Sequence, residues 1–296
     1  MQSVTHPAIF LLANDRVLAN VIRLLASLRS LNFDNRLFYI PFNEETYFLD
    51  RVFAAFGVER YEADLPRIDA LGARIYDGNR PAEPYPYCLG KLRKLAFLSY
   101  PGQAIYLDAD CVVTAGPEMF ADVFGLNEPG IGYINTSPQG VYEDKPEALE
   151  LRARSPMLTS GMIAKSRETT ALADIERLFD PATILRFHAV RRRGGYVDQP
   201  LWNFMVDSDL VAATDLLSGR RISRITSLNA DLTIAPDATV SAAGLPVLLL
   251  HLAGPALKET TRYRFLLDGL LTYGLRHLAT GEPAEFAELT RFVFAH

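Results

Sequence analysis

Tyr106-Leu107-Asp108-Ala109-Asp110 is the stretch of sequence that best indicates the fold of this 296-residue chain. The segment 103–107 predicts a buried strand, and the two aspartates follow at its carboxyl end. Because one residue separates them, Asp108 and Asp110 project from the same side of an extended chain. Ligands of open α/β sheets bind outside the carboxyl ends of the strands. A divalent metal ion there would neutralise the two carboxylates and leave positions for diphosphate oxygens; the alternative is a solvated turn or a helix cap.

The sequence before this strand alternates between strand and helix patterns. A continuous apolar run over 8–13 ends at Asn14 and Asp15, which predicts a buried strand followed by a polar turn. Amphipathic helices are then predicted at 17–31 and 44–56, and strands at 36–40 and 58–61. This βαβαβ order is typical of a mostly parallel central sheet flanked by helices, so we predict an α/β fold.

The remaining patterns are shorter. Three prolines predict a loop over 76–87. Further elements are predicted as a helix at 91–100, strands at 130–134 and 162–164, and helices at 170–179 and 200–205. No internal repeat or clear linker interrupts the sequence, and we therefore predict a single domain of residues 1–296.

Composition narrows the class of protein. The net charge of −5 argues against a nucleic-acid-coating protein. The apolar run at 245–252 is much shorter than the roughly 20 residues that span a bilayer, and the first residues lack a signal-peptide pattern. Two cysteines, Cys88 and Cys111, argue against a disulfide framework and fit a reducing compartment. We expect a cytoplasmic protein with no transmembrane segment and no nucleic-acid partner.

Residues near the end of the chain could complete a metal and phosphate site. His251 follows an apolar strand pattern, and a neutral imidazole binds manganese-type ions alongside carboxylates; the alternative is a structural histidine. Gly254 would allow close backbone approach to a phosphate. Lys258 would add positive charge for a leaving diphosphate, or is an ordinary solvated lysine.

Three further segments carry polar side chains that suit a sugar or an anion. Asp198 and Gln199 precede the helix pattern at 200–205, so they could bind sugar hydroxyls or cap that helix. Thr159-Ser160-Gly161 is predicted to be a small polar turn, with or without a sugar contact. Arg191-Arg192-Arg193 is interpreted as a solvated basic face, or as a contact to an anionic acceptor.

The order of these pieces resembles the glycogenin-like and lipopolysaccharide-galactosyltransferase-like nucleotide-sugar transferases, the retaining family eight with the GT-A fold. Four segments carry the resemblance: 10–15; 91–95 with 106–110; 159–162 with 197–203; and 251–255. The resemblance implies a nucleotide-binding half at 1–115 and a sugar and acceptor half at 116–296.

The resemblance also implies a role for each matching residue. It implies a site for Mn²⁺ (or Mg²⁺) at Asp108, Asp110 and His251, and catalytic contacts to the transferred sugar from Asp198 and Gln199. It implies a UDP-sugar donor bound by a wider set of residues, namely Ala13, Asn14, Asp15, Lys91, Asp108, Ala109, Asp110, Gly254 and Lys258.

Two departures from the family pattern concern the donor. The usual family pattern is His-x-x-Gly-x-x-Lys-Pro-Trp. In this sequence three residues instead of two separate Gly254 from Lys258, and Glu259-Thr260 stands in place of Pro-Trp. Thr159 stands where the family has an asparagine, so an amide that would contact the sugar is missing. The resemblance therefore leaves open a donor sugar other than glucose or galactose.

The implied activity is metal-dependent transfer of a hexose from a UDP-sugar to a hydroxyl acceptor, with retention of configuration. The acceptor could be a glycan, a lipid, a protein or a small molecule. One alternative is a non-catalytic or hydrolytic nucleotide-sugar-binding relative. Another is a nucleotidyltransferase, but that class needs a glycine-rich loop after the first strand, where this sequence has Asn14-Asp15-Arg16.

Overall fold

A computed structural model describes most of the chain. The described residues are 6–76, 85–126, 128–136, 141–153, 157–192, 198–225, 232–234, 240–252, 264–279 and 283–295.

The first half of the fold alternates strands with helices. Its strands are β1 (Ala8–Ala13), β2 (Leu37–Pro41), β3 (Val58–Arg60) and β4 (Ala104–Asp108). Its helices are α1 (Leu18–Ser30), α2 (Tyr47–Phe56), α3 (Leu65–Tyr76) and α4 (Tyr85–Leu92), with 3₁₀ helices at Asp15–Val17 and Arg93–Ser99. All six residues of β1 are buried, as expected for a strand that is covered on both faces.

The second half adds more strands and helices. The strands are β5 (Cys111–Val113), β6 (Ile131–Thr136), β7 (Met157–Lys165), β8 (Ala213–Asp215), β9 (Ser223–Ile225), β10 (Leu232–Ile234), β11 (Val240–Ala242) and β12 (Leu245–His251). The helices are α5 (Pro117–Phe124), α6 (Leu149–Ala153), α7 (Leu172–Leu178), α8 (Pro181–Val190), α9 (Gln199–Asp207), α10 (Arg264–Leu278) and α11 (Pro283–Ala295), with a 3₁₀ turn at Pro146–Ala148.

The main sheet has the strand order β3-β2-β1-β4-β7-β6-β8. Among its described strands, β7 alone runs antiparallel to its neighbours, and the other six share one direction. This confirms the predicted α/β fold with a mostly parallel central sheet. A second sheet has the order β10-β11-β12-β5, with β9 beside β12. Only Ala109 and Asp110 separate β4 from β5, so the chain changes sheets at the paired aspartates.

The strand β7 extends past the end of β4. Residues Met162 to Lys165 pair with β4, from Leu107 back to Ala104. Because the two strands are antiparallel, the residues of β7 that precede Met162 continue beyond the carboxyl end of β4. This extension brings Thr159, Ser160 and Gly161 to the edge of the sheet where Asp108 lies.

Helices cover both faces of the main sheet. Phe10 and Leu12 of β1 pack in a hydrophobic cluster with residues of α3, α4, α8 and α9, whereas Ile9 and Leu11 pack with residues of α1, α2, α5, α10 and α11. Trp202 of α9 is fully buried in the first cluster, and its ring centroid lies 6.0 Å from that of Phe97. No helix within the described ranges has the length and apolar character that a membrane crossing requires.

Several local predictions were wrong. Within the predicted loop 76–87, Tyr76 ends α3 and α4 begins at Tyr85, while residues 77–84 lie outside the described residues. Pro86 lies in the first turn of α4, where its missing N–H removes no helical hydrogen bond. Instead of one helix over 91–100, α4 ends at Leu92 and a 3₁₀ helix follows.

The predicted turn at Thr159-Ser160-Gly161 was also wrong, because all three residues lie inside β7. Small polar residues in a strand resemble a turn in sequence, although here the partner strands decide the conformation. Both cysteines are buried and neither forms a disulfide, and Cys111 begins β5.

Lys165 at the end of β7 supports the connection that enters β4. Its side chain is buried, and Nζ donates to the carbonyl oxygens of Tyr100 at 2.7 Å, Gly102 at 2.9 Å and Ser166 at 3.0 Å. We expect Lys165→Met to lower the free energy of unfolding by about 3 kcal/mol, because three carbonyl groups lose their donor. Denaturant unfolding measures this loss. The exposed control Lys145→Met should change the free energy by less than about 0.5 kcal/mol, and equal effects of the two substitutions would contradict the assignment.

Candidate functional site

Asp108, Asp110 and His251 form a cluster that could hold a metal ion. Asp108 ends β4, Asp110 lies in the turn to β5, and the pairing of β12 with β5 places His251 opposite Cys111. The backbone N–H of Leu252 donates to the carbonyl oxygen of Asp110 at 2.9 Å, which holds the end of β12 against this turn. One ligand atom from each of the three residues lies within 4.8 Å of the others. The distances from His251 Nε2 are 3.4 Å to Asp110 Oδ1 and 3.8 Å to Asp108 Oδ2.

The two carboxylate oxygens of Asp108 have different surroundings. Oδ1 accepts a hydrogen bond from the Tyr106 hydroxyl at 2.6 Å and lies 3.4 Å from Lys94 Nζ. Oδ2 is the oxygen that faces His251. Burial by itself would raise the pKa of Asp108, but the positive charges of Lys94 and Lys91 outweigh burial and hold the pKa well below its usual range. The side chain is therefore an ionised carboxylate, as a metal ligand must be.

Gly161 of β7 forms one wall of the cluster. A Cβ atom at this position would lie 2.6 Å from His251 Cε1 and 3.0 Å from Asp108 Oδ2. These distances leave no room for a side chain, so β7 can pass beside the two ligands because residue 161 is a glycine. The oxygen and nitrogen donors, together with this narrow space, fit a divalent cation of the manganese or magnesium type.

Asp198 is the second carboxylate that Lys94 contacts. It occupies the N-cap position of α9, yet its side chain accepts no capping hydrogen bond. The carboxylate instead points inward, with Oδ2 2.5 Å from Lys94 Nζ. The interpretation of Asp198 as a helix cap is therefore wrong.

Asn203 fixes the start of α9 against β7. Its side-chain amide donates to the carbonyl oxygen of Leu158 and accepts from the N–H of the same residue, both at 2.8 Å. The same Asn203 nitrogen donates to the carbonyl oxygen of Gln199. Gln199 is buried, and its Oε1 lies 3.4 Å from the Thr159 hydroxyl. These contacts bring the Asp198-Gln199 pair to the edge of the sheet that carries Asp108.

The residues predicted to bind the nucleoside lie at the same edge. Leu12 of β1 pairs with Asp108, so Ala13, Asn14 and Asp15 follow directly beside the metal cluster. Asn14 Nδ2 donates to Asn43 Oδ1 at 3.2 Å. The Asp15 carboxylate accepts from the backbone N–H groups at the start of α2, including that of Leu49 at 2.8 Å, so Asp15 also caps this helix. A nucleoside contact from these three residues stays a prediction.

Lys91, at the end of α4, faces the same negative charges. Burial would lower the pKa of Lys91, but the carboxylates of Asp108 and Asp198 more than offset this effect and raise the pKa above its ordinary value. The ammonium group is therefore charged and lies within electrostatic reach of the cluster. This position agrees with the expectation of a cation near the donor phosphates, which itself stays a prediction.

Two residues predicted to contact phosphate, and one arginine of the basic run 191–193, lie outside the described residues. They are Gly254, Lys258 and Arg193. Arg191 is buried rather than solvated, and its Nε donates to His188 Nδ1 at 2.8 Å. The interpretation of the run as a solvated face is therefore wrong for Arg191.

Two residues of the site, Lys94 and Gly161, lie in segments that carry the resemblance, but the sequence assigned neither of them a place beside Asp108. Lys94 follows Arg93 directly and begins an apolar run, Leu95-Ala96-Phe97-Leu98. A lysine in such an apolar run is a signal that could have indicated a buried charge with a partner. For Gly161 the sequence offered only the small residue itself, because the close approach of His251 depends on the second sheet.

Comparison with known proteins identifies the fold. No protein-family model matches the chain, and no curated protein sequence matches it either. Among solved structures, the chain is similar to the galactosyltransferase LgtC in complex with donor and acceptor sugar analogues. The TM-score is 0.54 at 13% identity, over 95% of this chain and 99% of LgtC.

Two other similar structures belong to glycosyltransferases. Mouse xyloside xylosyltransferase 1 in its apo form gives a TM-score of 0.51 at 14% identity, over 75% of this chain and 88% of that protein. The apo structure of WbbM, a bifunctional glycosyltransferase, gives 0.54 at 10% identity over 99% of this chain. This chain spans about half of WbbM, 52% of its length. At these identities the likeness shows the fold, and it confirms the GT-A architecture.

Gly161 offers a direct test of the metal cluster. We expect Gly161→Ala to weaken Mn²⁺ binding at least about 10-fold, because the new Cβ displaces His251 or Asp108. Titration calorimetry with Mn²⁺ measures the affinity, and thermal unfolding without metal checks that the variant folds. The matched control is Gly116→Ala, since a Cβ at Gly116 meets no atom within 4 Å. Equal Mn²⁺ affinities for the two variants would exclude a metal ion beside Gly161.

Proposed function

We propose that the protein is a metal-dependent glycosyltransferase that transfers a hexose from a UDP-sugar to a hydroxyl acceptor with retention of configuration. The observation that carries this proposal is the cluster of Asp108, Asp110 and His251 at the carboxyl edge of a GT-A sheet. The fold alone would not suffice, because one fold serves many functions. Here the fold and the donor set agree.

The donor set supports a metal ion that also binds a diphosphate. Asp108, Asp110 and His251 would supply three ligand atoms, which leaves coordination positions for phosphate oxygens. When bound, the ion would stabilise the negative charge that develops on the leaving diphosphate. Lys91 lies where its ammonium group could add to that stabilisation. We extend the same role to Gly254 and Lys258 by resemblance.

The surroundings of Asp198 favour an orienting role over a nucleophilic one. Its Oδ2 is held 2.5 Å from the Lys94 ammonium, and this ion pair lowers the availability of its charge for attack on carbon. Gln199 carries a neutral amide, which is a poor nucleophile. We therefore propose that Asp198 and Gln199 bind hydroxyl groups of the transferred sugar, while Ala13, Asn14 and Asp15 line the uridine and ribose pocket.

A front-face reaction follows from the lack of a free nucleophile among these two residues. The acceptor oxygen forms a bond to the anomeric carbon on the face from which the diphosphate departs. The bond between that carbon and the phosphate oxygen breaks, and its electron pair leaves with UDP. The acceptor hydroxyl proton passes to the departing phosphate oxygen. Both substituents therefore occupy the same face, so configuration is retained.

The single-domain organisation and the cellular location are also proposals. We propose that residues 1–115 bind the nucleotide and residues 116–296 bind the sugar and the acceptor. The buried thiols of Cys88 and Cys111, which form no disulfide, agree with a reducing compartment such as the cytoplasm.

Substitution of the metal ligands tests the activity. We expect Asp108→Asn or Asp110→Asn to lower Mn²⁺-dependent release of UDP from the preferred UDP-sugar by more than about 100-fold. The matched control is Asp34→Asn, since the side chain of Asp34 is 74% exposed and lies before β2 at the opposite edge of the sheet. A wild-type rate in Asp108→Asn would overturn the proposal.

The products separate the transferase from a hydrolytic relative. With a panel of hydroxyl acceptors, we expect a new glycoside whose anomeric configuration, read by proton NMR at early times, matches that of the donor. An inverted product would contradict the front-face reaction. Release of free sugar with every acceptor would instead favour the hydrolytic alternative.

A further inference from the structure

Lys94 is a fully buried cation beneath the site. Its side chain has 0% exposure, and it lies on the 3₁₀ helix Arg93–Ser99. The Nζ atom lies 2.5 Å from Asp198 Oδ2 and 3.4 Å from Asp108 Oδ1, and it donates to the Ser160 carbonyl oxygen at 3.0 Å. It also lies 4.5 Å from the centroid of the Tyr106 ring. A buried ammonium group is costly unless it is paired, and this one has two carboxylates and a carbonyl oxygen beside it.

The partners of Lys94 come from three separate segments of the site. Asp108 ends β4, Ser160 lies in the extension of β7, and Asp198 precedes α9. The ammonium group is therefore the point at which these segments meet. Because it is enclosed on all sides, it cannot itself contact a donor or an acceptor.

The contacts of Lys94 also fix the direction of two carboxylates. Lys94 and the Tyr106 hydroxyl both contact Oδ1 of Asp108, so that the other oxygen, Oδ2, faces His251. Lys94 also turns the Asp198 carboxylate inward, although the ordinary place for an aspartate at a helix N-cap is over the first backbone N–H groups. The backbone of Asp198 is helical, with φ −92° and ψ −29°, which also disfavours a capping side chain, and the ion pair with Lys94 gives the carboxylate its inward direction.

We propose that Lys94 is a positioning residue of the transferase site, which sets the orientation of Asp198 relative to Asp108 without touching the substrates. This inference rests on the proposed function, because it assigns Asp198 to the transferred sugar. It goes beyond that function by naming the interaction on which the geometry of the sugar subsite depends.

The chain offers a matched control for the test. Lys94 and Lys165 are both fully buried lysines at β7, since Lys94 donates to Ser160 within this strand and Lys165 is its last residue. The partners of Lys165 are the carbonyl groups of Tyr100, Gly102 and Ser166, which lie away from the aspartates. Both lysine-to-methionine variants should be less stable than the wild type. A purely structural role for Lys94 would therefore give the two variants similar behaviour in a turnover assay of the folded protein.

The experiment measures UDP release at saturating Mn²⁺ by the wild type, Lys94→Met and Lys165→Met. We expect Lys94→Met to lower kcat by about 100-fold with KM for the sugar nucleotide within about threefold, the scale seen when residues that orient catalytic groups are removed. Lys165→Met should keep kcat within about twofold. A folded Lys94→Met variant with kcat within threefold of the wild type would overturn the inference.

A second test introduces Lys94→Met into the Asp198→Asn variant. If Lys94 acts through Asp198, Lys94→Met should lower kcat less than about threefold when it is introduced into Asp198→Asn, because the carboxylate it positions is already gone. A further loss of about 100-fold in this background would mean that Lys94 acts independently, and would overturn the inference. The double variant contains no unpaired Asp198 charge, so this test remains available if Lys94→Met alone does not fold.

Thermal unfolding separates a failure of this inference from a failure of the proposed function. We expect the double variant to melt at a higher temperature than Lys94→Met, since it relieves an unpaired buried carboxylate. A lower melting temperature for the double variant would contradict the pairing whatever the activity. A wild type that consumes no sugar nucleotide would contradict the proposed function, and the role of Lys94 in positioning Asp198 would then be decided by the unfolding result.

Discussion

Mutual repulsion among Asp108, Asp110 and Asp198 is the constraint on which the rest of the site depends. The three carboxylates meet at one edge of the sheet, largely shielded from water. Such an arrangement is stable only if positive charge lies among them. Lys94 supplies that charge between Asp108 and Asp198, and Lys91 adds a second positive charge within electrostatic reach. The proposed metal ion would supply more charge between Asp108 and Asp110. The same balance of charge is what would give the cluster an affinity for a cation in the proposed function.

The backbone brings these charges together from segments that are far apart in the sequence. The turn at Ala109 and Asp110 carries the chain from the main sheet to the second sheet, and the antiparallel partner of β5 then returns His251 to that turn. On the other side, the extension of β7 places Gly161 against His251. Asp108, Asp110 and His251 therefore lie on a junction of strands, a more rigid support than loops alone would give.

Sequence predicted the strands β1 to β4, the helices α1 and α2, and the pair of aspartates at the end of β4, because these follow from local signals. That Asp108, Asp110 and His251 bind a metal ion stays a prediction. Continuous apolar runs identify buried parallel strands, and the spacing of Asp108 and Asp110 is visible without a structure. Two features depended on distant partners and could not be read in this way. Thr159-Ser160-Gly161 looks like a turn until its neighbouring strands are known, and the burial of Lys94 depends on α9, about a hundred residues later. Helices α3, α5, α8, α10 and α11 were missed for a similar reason, since packing on the sheet stabilises them.

The position of Trp202 gives the molecule a built-in optical probe. It is the only tryptophan in the chain, it is fully buried, and it lies three residues after Gln199 on the helix that Asn203 fastens to β7. Its ring packs near Phe97, on the same 3₁₀ helix as Lys94. All indole emission of the protein therefore comes from one ring in a nonpolar setting, beneath Asp198 and Gln199. Its wavelength and intensity are reporters of whether this helix keeps its place, without any dye or label.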